Sequence, residues 1–148
     1  PPPFLMIRPP PSSTLELDRR QRQMCIRDRD NGGGVVINVL SVAGLKPPAY
    51  MGFYAATKAA LQALTRVMAQ EWAPMNIRVN AIAPGTYHSD LTDSAIAAIP
   101  GFEEGMLSAN LIKRIPESDE ILLPVFYLAA ETYTTGFTLV ADGGMTES

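Results

Sequence analysis

The chain has 148 residues, 47% of them apolar and 18% charged, which fits one globular domain and excludes a disordered chain. A net charge of −3 argues against a nucleic-acid footprint, and no apolar run is long enough to cross a bilayer. Cys25 is the single cysteine, so an intrachain disulfide and a cysteine-rich metal site are excluded, and a reducing cytoplasm is the expected compartment.

Residues 1–30 stand apart from the rest. Six of the thirteen prolines lie in Pro1–Pro11. The stretch also carries six arginines against four acids. Proline- and arginine-rich text without periodicity reads as a leader, disordered or non-native, rather than as core. Met24-Cys25-Ile26-Arg27-Asp28-Arg29 resembles a translated sequencing-library adapter. The folded domain is therefore expected over 31–148.

Asn31-Gly32-Gly33-Gly34 precedes an apolar run, whereas a dinucleotide-binding glycine loop follows a strand and opens a helix. A turn is expected there. Val35–Leu40 then reads as a strand buried on both faces of a parallel sheet, with Asn38 bonding neighbouring backbone. Ser41 ends it, and a loop with Gly44, Pro47 and Pro48 follows. A long alanine-rich helix is expected from about Gly52 to Trp72. It is apolar nearly all round, so it should be covered on several sides. Pro74-Met75-Asn76 ends it, with Asn76 suited to the left-handed conformation.

Ile77–Ala83 is the next strand, broken by Pro84-Gly85, and a loop runs through Thr86–Ser89. His88, the only histidine, is expected in solvent. Leu91–Arg114 is too long for a simple connection and suits a substrate lid with short helices. Glu103 and Glu104 read as a solvated acidic face. Ser118 is the expected N-cap of a helix over Ile121–Ala130, bent at Pro124. Gly136–Ala141 supplies the last strand, and Asp142-Gly143-Gly144 a tight turn.

Three of these positions suggest chemistry. Tyr54 and Lys58 are spaced i, i+4, so they share a helix face with Cβ atoms about 6 Å apart. An ammonium near a phenol favours the phenolate and brings its pKa toward working pH. Such a phenol can exchange a proton with a carbonyl or alcohol oxygen. Ser41, at the end of a strand, can donate to the same oxygen and hold it. These are parts for carbonyl–alcohol interconversion, given a separate hydride carrier.

Ser41 followed thirteen positions later by Tyr54-Ala55-Ala56-Thr57-Lys58 resembles the active-site pattern of the short-chain dehydrogenases/reductases. Ile77–Gly85 is similar to that family's sixth strand and turn, and Thr135–Gly144 to its seventh strand and closing turn. The resemblance runs from about Gly33 to Ser148. It implies an α/β fold, the C-terminal part of a Rossmann-like doubly wound parallel sheet. It implies NAD or NADP as cofactor and a small alcohol or ketone as substrate, with 3-oxoacyl reductases and sugar or polyol dehydrogenases as nearest kin. Tyr54 would be the acid/base, Lys58 its electrostatic partner and a ribose ligand, and Ser41 the carbonyl anchor. Pro84, Gly85, Tyr87 and Ser89 would lie against the nicotinamide. Tyr87 departs from the small β-branched residue usual there, which puts that contact in doubt. The long helix would pack on another subunit, giving a homo-oligomer. No Gly-x-x-x-Gly-x-Gly loop follows a strand in this sequence, so the adenosine-binding N-terminal half is expected to be missing. A competing reading follows from that: a noncatalytic fragment or partner-binding half-domain.

Overall fold

The computed structural model describes residues 32–148. The readings made for residues 1–30 and for Asn31 lie outside them. Three parallel strands, β1 (Gly34–Val39), β2 (Ile77–Pro84) and β3 (Thr138–Ala141), form a sheet in the order β1-β2-β3. The register aligns Gly34 with Ile77 and Val39 with Ile82, then Ala81 with Thr138 and Pro84 with Ala141. Parallel strands in register end on one edge, so Ser41, Gly85 and Asp142 follow one another along it.

The middle strand holds the core. Ile77, Val79, Ala81, Ile82 and Ala83 are all but fully buried, as a strand covered on both faces and paired on both edges must be. Of its two polar members, Arg78 and Asn80, the second is 0% exposed. Asn80 accepts from the Phe137 N–H at 3.1 Å and donates to the Thr134 carbonyl at 2.8 Å. A side-chain amide thus completes the pairing of the chain just before β3. Arg78, on the same face of the strand, also donates to the Thr134 carbonyl, at 3.4 Å. Its guanidinium donates to the Leu128 and Ala129 carbonyls at 3.0 and 2.8 Å, satisfying orphan carbonyls at a helix end.

Helix α1 (Gly52–Trp72) lies on β2. Met68 and Ala69 pack with Ile77 and Val79, and Leu61 packs against the cluster of Leu40, Ala81 and Ala83. Its termination is as expected: Asn76 is left-handed with φ 56° after a 3-10 turn over Ala73–Met75. Cover on several sides is not seen among the described residues. Only Ala55, Thr65, Met68 and Ala69 are buried in α1, and Phe53, Leu64 and Val67 face outward.

Two local expectations are corrected. Asn38 bonds the Thr65 hydroxyl of α1 at 2.9 Å rather than nearby backbone, because the helix brings a hydroxyl over the strand. Ser118 is not a cap: Glu117 caps a 3-10 turn over Ser118–Ile121 in a reciprocal box with Glu120. Pro124 sits in the first turn of α4 (Leu122–Ala130), where its missing N–H costs nothing. The 91–114 segment does form short helices, α2 (Asp90–Ala98) and α3 (Phe102–Ala109), with Glu103 and Glu104 exposed in the first turn of α3.

Candidate active site

Ser41 leaves β1 in extended conformation, and its hydroxyl accepts from the Ala43 N–H at 3.2 Å, capping a 3-10 turn over Val42–Gly44. That uses a lone pair and leaves the hydroxyl hydrogen free to donate. Tyr54 stands in the first turn of α1, 43% exposed. Lys58 lies one turn on. Its ammonium is 5.7 Å from the centroid of the Tyr54 ring, within cation–π range, and donates to the Val39 carbonyl at 3.0 Å. The structure thus ties the helix pair to the end of the strand that delivers Ser41.

Gly44 makes this junction possible, and sequence reading passed it over as a loop residue. A Cβ there would fall 2.9 Å from the Lys58 carbonyl carbon and Cβ. Only a residue without a side chain lets the turn after Ser41 lie against α1 at Lys58. The signal was a glycine three residues after Ser41 with no need for a tight bend.

The loop after β2 is pinned at nearly every residue. Pro84 ends the strand, and Gly85 N–H donates to the Ala141 carbonyl at 2.9 Å. Gly85 also has no room for a side chain, since a Cβ would meet Asp142 Cα at 2.8 Å. Tyr87 turns toward β3, donating from its phenol to the Ala141 carbonyl at 3.3 Å. Burial pushes that phenol up from its ordinary value, and the Glu120 carboxylate adds to the rise, so Tyr87 is a donor and not a base at neutral pH. Ser89 caps α2, accepting from Thr92 N–H at 3.2 Å and donating to the Thr92 hydroxyl at 3.1 Å. Lys58 therefore holds Tyr54 beside the end of β1 that leads to Ser41, whereas Tyr87 and Ser89 are engaged on the β3 and α2 side.

A cleft of about 460 Å³ opens near that second group, not at the first. Tyr87, Asn110, Arg114, Glu120 and Leu123 line it, and Ser41, Tyr54 and Lys58 do not. Its charges are already matched. Arg114 grips Glu120 with two hydrogen bonds of 2.6 and 2.7 Å, which together with the Glu117 N–H hold that carboxyl down at about 2. Asp142 is held below the usual carboxylate range by the Thr146 hydroxyl and the backbone N–H groups of Thr146 and Gly144, against an opposing effect of burial. The turn expected at Asp142-Gly143-Gly144 is present, with both glycines left-handed.

His88 is open to solvent, as expected, and its ring has one partner among the described residues. Its Nδ1 lies 2.6 Å from Asp93, in the first turn of α2. That hydrogen bond raises the imidazole above its usual 6.5, helped by the charges of Asp93, Glu117 and Glu103. A group raised by folding stabilises the fold fully below its unfolded pKa, and that contribution fades as pH rises through the folded value. The His88 ring signals in a proton NMR titration are expected to move with a midpoint above 6.5, and Asp93→Asn is expected to bring it back down. An unchanged midpoint in that variant would remove Asp93 as the cause.

Comparison with known proteins decides the family. A family profile described as enoyl-(acyl carrier protein) reductase matches residues 14–146. The chain belongs to the short-chain dehydrogenase/reductase family. The profile match begins inside the stretch that composition set apart. Carbonyl reductase family member 4 of Danio rerio is 37% identical over 120 residues, covering 81% of this chain and 48% of that protein. A 7α-hydroxysteroid dehydrogenase complexed with NADH and 7-oxo glycochenodeoxycholic acid superposes with TM-score 0.78 at 33% identity, over 84% of this chain and 49% of that one. A gluconate 5-dehydrogenase of Burkholderia cenocepacia, in complex with NADP and tartrate, gives 0.77 at 32% identity, over 86% and 49%. This short-chain dehydrogenase chain spans about half the length of the curated relatives it matches. No helix among its described residues is long and apolar enough to cross a membrane, and no metal-binding group of His, Cys, Asp or Glu occurs among them.

Proposed function

We propose that the protein is an NAD(P)-dependent oxidoreductase interconverting a ketone and a secondary alcohol. One observation carries this reading: the Lys58 ammonium sits over the Tyr54 ring at the end of the strand that delivers Ser41. When bound, the nicotinamide supplies or accepts the hydride. The chain's residues supply the rest. Ser41 donates its free hydroxyl hydrogen to the substrate oxygen and fixes its position. Tyr54 passes its phenolic proton to that oxygen in reduction and takes it back in oxidation. Lys58 has one N–H on Val39 and two more to offer. They suit ribose hydroxyls, so the donor set fits the cofactor. Relatives complexed with NADH and with NADP support either form. Pro84 and Gly85, at the end of β2, would face the nicotinamide. A contact from Ser89 would compete with its cap on α2, and Tyr87 points toward β3.

The experiment is a titration of NADH and NADPH into the longest natural form of the protein by calorimetry, followed by a ketone-dependent oxidation assay. Micromolar binding of one cofactor with turnover is expected. Absence of binding to both would favour a noncatalytic, partner-binding role.

The reading extends to assembly in the cytoplasm. Phe53, Leu64 and Val67 leave an apolar stripe on α1, with Ala56, Ala60 and Ala63 small enough for a close helix–helix approach. A second copy of α1 fits this stripe. Sedimentation is expected to show a dimer or larger, and Val67→Glu to shift it toward monomer. A monomer at micromolar concentration would exclude this interface.

A further inference from the structure

Tyr50 has φ +67°, the left-handed region. A side chain with a Cβ is strained there, and glycine or asparagine would sit more easily. Strain of this kind is normally offset by packing of the side chain. Tyr50 is instead fully exposed, and its hydroxyl has no hydrogen bond among the described residues. Nothing in the described fold is gained from the ring. Residues held in such conformations cluster at ligand clamps and active sites.

The position is specific. Pro47 and Pro48 lead into a turn closed by the Met51 N–H on the Pro48 carbonyl at 3.4 Å. That turn sets Tyr50 just ahead of α1, whose first turn bears Tyr54. Met51 and Tyr54 are 44% and 43% exposed, so an open apolar rim borders the proton-transfer residue. Tyr50 lies before the helix and outside the stripe of Phe53, Leu64 and Val67.

We propose that Tyr50 is a specificity-determining residue: its ring forms one wall of the substrate entrance and selects carbonyl compounds whose carbonyl bears a flat apolar group. Tyr50 touches that group, not the reacting atoms. An aromatic ring meets another flat face by offset stacking or edge contact, and the backbone strain presents the ring outward for it. The inference rests on the oxidoreductase reading above and deepens it.

The test uses the longest natural form of the protein, with acetophenone as the flat ketone and acetone as the small one. Tyr50→Asn keeps a residue that accepts the left-handed backbone, and Tyr50→Phe keeps the ring. Acetophenone KM is expected to rise about fivefold or more in Tyr50→Asn with kcat little changed. Acetone KM should not move, and Tyr50→Phe should match the wild type. Dissociation constants from saturation-transfer NMR should show the same order without turnover. Equal acetophenone affinity in wild type and Tyr50→Asn overturns the proposal, as does absence of acetophenone binding to the wild type. Unchanged affinity with loss of the oligomer also overturns it and assigns the ring to a subunit contact. Tyr50-dependent acetophenone binding without turnover of either ketone supports the wall and overturns hydride transfer instead.

Discussion

Tyr54→Phe is expected to lower turnover by a factor of about a hundred to ten thousand, with cofactor affinity kept. The substitution removes one oxygen and its proton. The ring remains, so the Lys58 ammonium keeps its cation–π partner, and its hydrogen bond to Val39 does not involve Tyr54. The loss should therefore fall on kcat, where the proton moves, and not on the dissociation constant measured by calorimetry. Lys58→Ala should differ in kind. It removes the donor offered to the ribose and the charge beside the phenol, so both turnover and cofactor affinity should fall. Wild-type-like turnover in Tyr54→Phe would sink the assignment of the proton donor.

Asn80→Ala is expected to cost roughly 2–4 kcal/mol of stability. The truncation strands the Phe137 N–H and leaves the Thr134 carbonyl only the longer 3.4 Å bond from Arg78. It also empties a fully buried site between β1 and β3. Each unpaired group costs about 1–3 kcal/mol in the interior, because water cannot reach it to compensate. Urea unfolding should show a lower midpoint at unchanged slope. A midpoint shift equivalent to less than about 1 kcal/mol would show that solvent reaches these groups. The approach to β3 depends on this amide, so hydrogen exchange at Phe137 should accelerate more than at Val36.

Much of the molecule was legible in the text. The run Val35–Leu40, apolar but for Asn38, announces a strand covered on both faces; β1 does form there, but Val35 and Val39 are exposed, and it is β2 that is buried. The alanine-rich run with Pro74 beyond it sets α1 and its end, and Asn76 adopts the left-handed φ its amide tolerates. Tyr54 and Lys58 meet because i, i+4 spacing on a helix is local geometry, independent of the rest of the fold. Tertiary structure decided what local rules cannot reach. Asn38 could bond backbone or side chain, and the choice fell to Thr65 only because α1 crosses over β1. Asn80 reads as one of two polar letters in β2, with Arg78, and its role depends on a segment more than fifty positions away. Gly44 is an ordinary loop glycine until α1 lies against it. Tyr87 and Ser89 have the right order for a cofactor loop, yet their hydroxyls find partners in β3 and α2. Periodicity and spacing encode contacts within a helix or strand, because a single backbone geometry repeats there. Contacts between elements depend on how those elements are placed against one another, and only packing settles which hydrogen-bond partner a side chain takes.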